Sequence, residues 1–276
     1  MQTHNIIKQN IKAHDLIYNK YEQIHGEIFN PIEQQRLHGQ LARSITYIKT
    51  TDTQRKALDY GCGSGNLTKH LIDLGLYVTS ADISDNFLKA IQEKYGHTGK
   101  LETLKINGED LSSIEDDYFD FVATYSVLHH IPDYMKAVAE MIRVVKPGGV
   151  VYLDHEPCDS YWQKNEEYEK FLSSLPKRKK TIKRFFVLSN YTNKIRRLIN
   201  PRYEPEGDIH IWGDDHIEWD KIEKYAKSNG CSVVIKEDYL LYKRGYPEDL
   251  YQLYKNRCQD MTVLVLRKDD LPKRKK

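Results

Sequence analysis

Between residues 56 and 155 the apolar positions fall into short continuous runs. These are separated by stretches in which apolar residues recur every three or four positions. The first pattern belongs to strands buried on both faces, the second to helices with one apolar stripe. It predicts strands over 56–60, 76–82, 101–106, 119–125 and 150–154, and helices over 66–74, 84–95 and 132–145. Lys146-Pro147-Gly148-Gly149 reads as a helix stop that releases the chain into the fifth strand. Strands alternating with helices imply βαβ units, a doubly wound α/β fold and a mostly parallel sheet.

The flanking regions differ. Residues 1–50 show no strand-like alternation and read as a helical cap. Ile6, Ile7, Ile11, Leu16, Ile17, Tyr21 and Ile24 form one stripe, and Leu37, Leu41, Ile45 and Ile48 a second, with a break over 26–31. Tyr18, Tyr21, His25, Phe29 and Arg36 mix aromatic and polar groups here, which suits either the cover of a ligand pocket or an ordinary helix on a sheet edge. After residue 216 the α/β rhythm returns, with a helix to 228, a strand over 232–241, a helix over 247–257 and a last strand over 261–267. The expected organisation is an α/β domain of 51–156 and 216–268, interrupted by an inserted segment over 157–215 and ending in a basic tail over 269–276.

The first strand runs into Asp59-Tyr60-Gly61-Cys62-Gly63-Ser64-Gly65-Asn66. Glycine at every second position lets the backbone bend sharply and lets a ligand lie against it without meeting a Cβ. The following helix turns its N-terminal amides toward the bend. A nicotinamide dinucleotide site wants Gly-x-Gly-x-x-Gly, but here the third glycine arrives one residue early and Asn66 holds its place. Asp82, at the end of the second strand, suits a ribose diol, in a dinucleotide or in any other nucleoside-type cofactor.

Five segments together resemble the class I S-adenosylmethionine-dependent methyltransferases, small-molecule type. They are the loop 58–65, Asp82 within Thr79-Ser80-Ala81-Asp82-Ile83-Ser84, Asn107-Gly108-Glu109-Asp110-Leu111, the strand 118–122 leading to Ser126-Val127-Leu128-His129-His130-Ile131, and Arg143-Val144-Val145-Lys146-Pro147-Gly148-Gly149. The resemblance implies a Rossmann-like, seven-stranded sheet with an antiparallel last strand, and S-adenosyl-L-methionine as cofactor. It implies Asp59, Gly61, Gly63, Asp82, Ile83, Asn107, Gly108 and Tyr125 as cofactor-binding residues, with Asp59 orienting loop amides or meeting the methionyl ammonium. Asn107 departs from the Asp of many members; its side-chain carbonyl accepts the same adenine hydrogen bond without bringing charge.

Methyl transfer needs an acceptor in line with the departing sulfur and, for a hydroxyl or protonated amine, a base. His130 after strand four and His155 after strand five are the two candidate catalytic bases, both at the carboxyl edge of the sheet. Asp208, His210, Asp214, Asp215 and His216 carry metal-ligand chemistry, but Asp214-Asp215 reads more simply as a helix cap, and no metal site is expected.

The net charge of +2 conceals eleven basic residues and no acidic one over 170–203. With Phe185, Phe186 and neighbouring isoleucines, this basic stretch reads as a substrate lid for an anionic acceptor, small or linked to a lipid or glycan, or as a peripheral membrane contact. RNA or protein methylation through the same lid and non-catalytic cofactor binding are the alternatives; no nucleic-acid recognition motif is present. Four widely spaced cysteines without a Cys-x-x-Cys pair, no secretory signal pattern and no apolar run of membrane-spanning length point to the cytoplasm.

Overall fold

The computed structural model describes Glu22 and residues 25–163, 165–176 and 216–270. Seven strands form one sheet: β1 (Lys56–Tyr60), β2 (Tyr77–Asp82), β3 (Leu101–Lys105), β4 (Phe119–Tyr125), β5 (Val145–Pro157), β6 (Cys231–Tyr239) and β7 (Met261–Lys268). Their spatial order is β3-β2-β1-β4-β5-β7-β6. Strands β1 to β5 pair in parallel, and β7 runs antiparallel between β5 and β6. The sheet is therefore the mostly parallel one with an antiparallel last strand that the hydropathy pattern and the family resemblance imply. Its order reverses between β1 and β4, which opens a crevice at their carboxyl ends, the usual ligand position in such sheets.

Eight helices are described: α1 (Pro31–Ile45), α2 (Asn66–Asp73), α3 (Asp85–Tyr95), α4 (Tyr134–Val144), α5 (Asp159–Trp162), α6 (Glu166–Ser174), α7 (Trp219–Ser228) and α8 (Glu248–Tyr254). Their starts are written in the sequence. The Asn30 side chain accepts from the Glu33 amide with Pro31 at the first position, Ser84 caps α3, and Asp133 caps α4. Helices α4 and α7 cover one face of the sheet, where Met141, Ile222 and Trp219 meet Val122 and Leu153. Helices α1 and α2 cover the other, where Leu37, Leu41 and Leu71 meet Phe121 and Tyr152.

Four features depart from the expected element map. Strand β5 already begins at Val145, which pairs with Phe119 before the register breaks and resumes at Val150. Helix α7 begins at Trp219 rather than at 216, with Glu218 as its cap residue. The segment after 157 opens with helices α5 and α6, and Phe171 joins Leu240, Tyr251 and Cys258 in a small second core. That part of the predicted lid is thus packed against the chain that follows β6, because α6 buries an apolar side chain there. The fourth is a bulge near the end of β5. Asp154 pairs with Val263 and Glu156 with Thr262, leaving His155 extra, with a left-handed φ of 63°. All of the first predicted cap stripe, the basic residues over 177–202, the Asp208, His210, Asp214 and Asp215 positions and the tail over 271–276 lie outside the described residues.

Trp219 is 1% exposed, and its indole N–H donates to the Pro157 carbonyl at 2.9 Å. Replacing it with alanine removes the largest buried side chain on that face and orphans the carbonyl. Trp219→Ala is expected to lower unfolding free energy by about 3–5 kcal/mol, measured as a shift in the urea midpoint without change in slope.

Candidate active site

Strand β1 must turn into α2 within five residues, and three left-handed glycines make the turn: Gly61 (φ 74°), Gly63 (φ 48°) and Gly65 (φ 90°). The Gly61 and Cys62 amides both donate to the Ala81 carbonyl, pinning the loop to β2. A Cβ at Gly61 would lie 2.6 Å from a Val127 methyl group, and one at Gly65 3.0 Å from the Tyr95 ring. A Cβ at Gly63 would meet nothing within 4 Å, because Gly63 borders a cavity.

The cavity lies in the β1–β4 crevice. The glycine loop, Asp82 and Ile83 form one wall, and Tyr125 to Val127 with His130 form the other. Ile28 and Phe29, in the segment before α1, close it over. Asp82 is held by two backbone amides: Oδ2 accepts from Gly63 at 2.9 Å and Oδ1 from Ser84 at 2.8 Å. Each carboxylate oxygen retains acceptor capacity beyond one bond. Two further polar atoms at the cavity, Ser64 Oγ and Asn66 Nδ2, are buried and have no protein partner. Asn66 is oriented by Gln34, whose Nε2 donates to Asn66 Oδ1 at 2.8 Å, so its unused donors are on Nδ2. Gln34 is held in turn by His70, whose Nε2 lies 3.0 Å from Gln34 Oε1.

The expected site residues divide. Gly61, Gly63, Asp82, Ile83, Gly108 and Tyr125 border the cavity, as does His130. Asp59 borders it too, but its carboxylate is engaged beneath the loop: Thr68 donates to Oδ2 through its hydroxyl at 2.6 Å, and the Thr68 amide also bonds to the carboxylate. Asp59 therefore anchors the first turn of α2, which has no side-chain cap of its own. Asn107 does not border the cavity. Its Oδ1 accepts from the amides of Glu109 and Asp110 and its Nδ2 donates to Asp110, so the carbonyl expected to meet adenine is turned into its own loop.

His155 is not at the cavity either. It is 5% exposed and stacks behind Tyr125 with ring centroids 4.5 Å apart. Burial, aided by the nearby Arg36 guanidinium, holds its pKa well below the ordinary histidine value, so the ring is neutral. The bulge that makes His155 the extra residue of β5 is what turns it away from the position expected of a base. His130, by contrast, sits in the short helical turn Leu128–His130, its ring 4.0 Å from that of His129.

Beside the cavity lies a buried polar cluster that hydropathy does not reveal. Arg36 donates to Glu33 through Nε and Nη2, and Nη2 also reaches Asp154 at 2.9 Å. Tyr125 donates to Glu33 at 2.9 Å, and Tyr239 donates to Asp154 at 2.9 Å, as Tyr152 also does. Arg36 lies over the Tyr239 ring at 3.8 Å. The mixed aromatic and polar residues of 1–50 left Arg36 open between pocket cover and an ordinary helix on the sheet edge, and the sequence pairs it with neither Asp154 nor Tyr239. Among the described residues no group of three or more His, Cys, Asp or Glu is arranged to hold a metal, and no helix is long and apolar enough to cross a membrane.

Burial pushes the Asp59 carboxyl up to about 7. A raised acid binds its proton more tightly folded than unfolded, so stability falls as pH rises from about 4, the unfolded value, and levels off above about 7. Asp59→Asn keeps an acceptor for Thr68 and removes the charge. Its stability relative to the parent chain is expected to rise over that pH interval, read from paired urea titrations.

Gly61→Ala meets both a left-handed φ and the Val127 methyl groups, so it is expected to cost about 1–3 kcal/mol of stability, measured in the same titrations. Gly63→Ala meets only the unfavourable φ.

Comparison with known proteins bears on the same region. A methyltransferase domain model matches residues 58–153. A ubiquinone biosynthesis O-methyltransferase of Thiobacillus denitrificans is 34% identical over 99 residues, covering 36% of this chain and 43% of that protein. A demethylmenaquinone methyltransferase of Staphylococcus aureus is 40% identical over 102 residues, covering 35% and 41% respectively. The chain thus spans less than half the length of the curated relatives it matches. In overall shape it resembles a chain from a Haloferax volcanii complex of the Trm112 methyltransferase activator. That likeness has a TM-score of 0.56 at 16% identity and covers 95% of this chain and 98% of the other, which speaks to the fold alone. The matched stretch contains the glycine loop, Asp82 and the loop after β4, three of the elements that border the cavity; over 58–153 the chain is similar to the methyltransferase domain family, which supports the resemblance to the class I S-adenosylmethionine-dependent methyltransferases.

Proposed function

We propose that this chain transfers the methyl group of S-adenosylmethionine to a hydroxyl or amine of a small acceptor, or of one linked to a lipid or glycan. The observation that carries the reading is that one cavity joins the glycine loop and Asp82 on one wall to His130 on the other. The residues present fit the cofactor. Asp82 would accept from the ribose hydroxyls, and Ile83, Ile106 and Gly108 would flank the adenine. The unpartnered Ser64 Oγ and Asn66 Nδ2 supply donors for the polar amino-acid end. Bound there, the cofactor supplies a methyl group already activated by its sulfonium.

What remains for the protein is alignment, exclusion of water and a place for the acceptor's proton. Ile28 and Phe29 exclude water from above, and Tyr125 forms a rigid aromatic wall through its bond to Glu33. His130 is the titratable side chain on the acceptor side and takes the proton as the new bond forms. The similarity to a protein named as an O-methyltransferase favours oxygen as the accepting atom, and the cavity's apolar wall of Ile28, Phe29, Ile131 and Pro132 suits a ring or hydrocarbon. The basic stretch over 170–203, read from the sequence, suits an anionic group on the acceptor or an anionic membrane surface.

Asp82→Ala is expected to weaken S-adenosylhomocysteine binding by about 1–3 kcal/mol in titration calorimetry. An unchanged affinity removes Asp82 from the site. With a small hydroxylated quinone as acceptor, His130→Ala is expected to lower kcat by about 10²-fold or more while leaving S-adenosylhomocysteine affinity intact. Cofactor binding by the parent chain without turnover on hydroxyl or amine acceptors argues for a binding protein instead.

A further inference from the structure

The loop after β4 brings His130 to the cavity, and what holds that loop comes from a different strand. Glu156, near the end of β5, is fully buried (0% exposed). Its Oε1 accepts from the Val127 amide at 2.8 Å and from the Leu128 amide at 2.7 Å. Its Oε2 lies 2.6 Å from His129 Nδ1. A carboxylate only accepts, so His129 carries a proton on Nδ1. Ser126, the first residue of the loop, has a left-handed φ of 59°, a conformation that costs energy for a side-chain-bearing residue and persists only when its surroundings impose it. Val127 in turn fills the space that a Cβ on Gly61 would occupy.

We propose that Glu156 is a positioning residue for the cavity. Its one carboxylate fixes the backbone at 127 and 128, and through that backbone it sets the place of His130 and presses Val127 against the glycine loop. This rests on the reading of the cavity as the cofactor site. Glu156 itself touches neither cofactor nor acceptor; both walls of the cavity depend on it through the loop it grips.

Two variants separate the parts of this role. Glutamine at 156 still offers a carbonyl to both amides, but its –NH₂ needs an acceptor at His129. Glu156→Gln is therefore expected to remove the proton from His129 Nδ1 and leave the ring protonated at Nε2, read by ¹⁵N NMR of histidine-labelled protein. Its S-adenosylhomocysteine affinity is expected to stay within about twofold of the parent. Glu156→Ala takes the acceptor from the Val127 and Leu128 amides and is expected to weaken S-adenosylhomocysteine binding at least about tenfold in calorimetry while circular dichroism shows a folded chain.

A folded Glu156→Ala chain with parental affinity overturns the proposal, as does a Glu156→Gln chain that loses affinity as far as alanine does. If Glu156→Ala fails to fold, the glutamine variant still decides: an unchanged Nδ1–H tautomer at His129 overturns the contact on which the proposal stands. Failure of the parent chain to bind S-adenosylhomocysteine would instead overturn the cofactor reading, and the tautomer measurement would still test the grip of Glu156 on the loop.

Discussion

Two loops meet where the order of the sheet reverses, and they meet without room for a side chain between them. Val127 stands so close to Gly61 that a single methyl group on Gly61 would collide with it. Interiors packed to crystal density do not yield to such an intrusion at little cost. The backbone after β1 is thereby locked to the backbone after β4, and the cavity takes its width from that contact. Asp82 adds a second lock by holding the Gly63 amide from the side of β2. The open side of Gly63 is what remains for a ligand.

The cover of the cavity depends on a different kind of force. Helix α1 is tied to the sheet by Arg36, set between the buried carboxylates of Glu33 and Asp154. Burying three charges is expensive, and such clusters survive only with dense hydrogen bonding. The tyrosine hydroxyls of 125, 152 and 239 supply much of it. Burial pushes the Glu33 carboxyl above its ordinary range even against the pull of Arg36, while Arg36 stays charged. An apolar contact would hold α1 to the sheet in many registers; this directional cluster holds it in one. Ile28 and Phe29 precede α1 by a few residues, so their place over the cavity follows from that register.

The sheet was readable in the chain because parallel strands buried on both faces leave continuous apolar runs, and because Asn30, Ser84 and Asp133 mark helix starts in plain view. The glycine loop and Asp82 were readable for a related reason: their chemistry is local, and a turn needs its glycines wherever the rest of the chain lies. Contacts between distant positions were not. Nothing near residue 36 announces a partner at 154, and nothing near 127 announces one at 156. Asn107 shows the opposite hazard, a side chain of suitable chemistry at a suitable place that satisfies its own turn first. His155 was misplaced by one backbone irregularity, since strict alternation along β5 does not foresee an extra residue.

That extra residue has a wider effect. Along an even strand, positions two apart point to the same side, and Tyr152 already points to the side of α1. Asp154 follows it and meets Arg36. Without the bulge Glu156 would follow as well, bringing a second carboxylate to a cluster already rich in them. With His155 inserted, Glu156 turns to the opposite side and finds the amides of 127 and 128. A single strand end thus serves both layers of the protein, one carboxylate bracing the helix above the sheet and the other the loop beneath it. Straightening β5 with its sequence kept would carry Glu156 to the side of Asp154 and leave the amides of 127 and 128 without their partner.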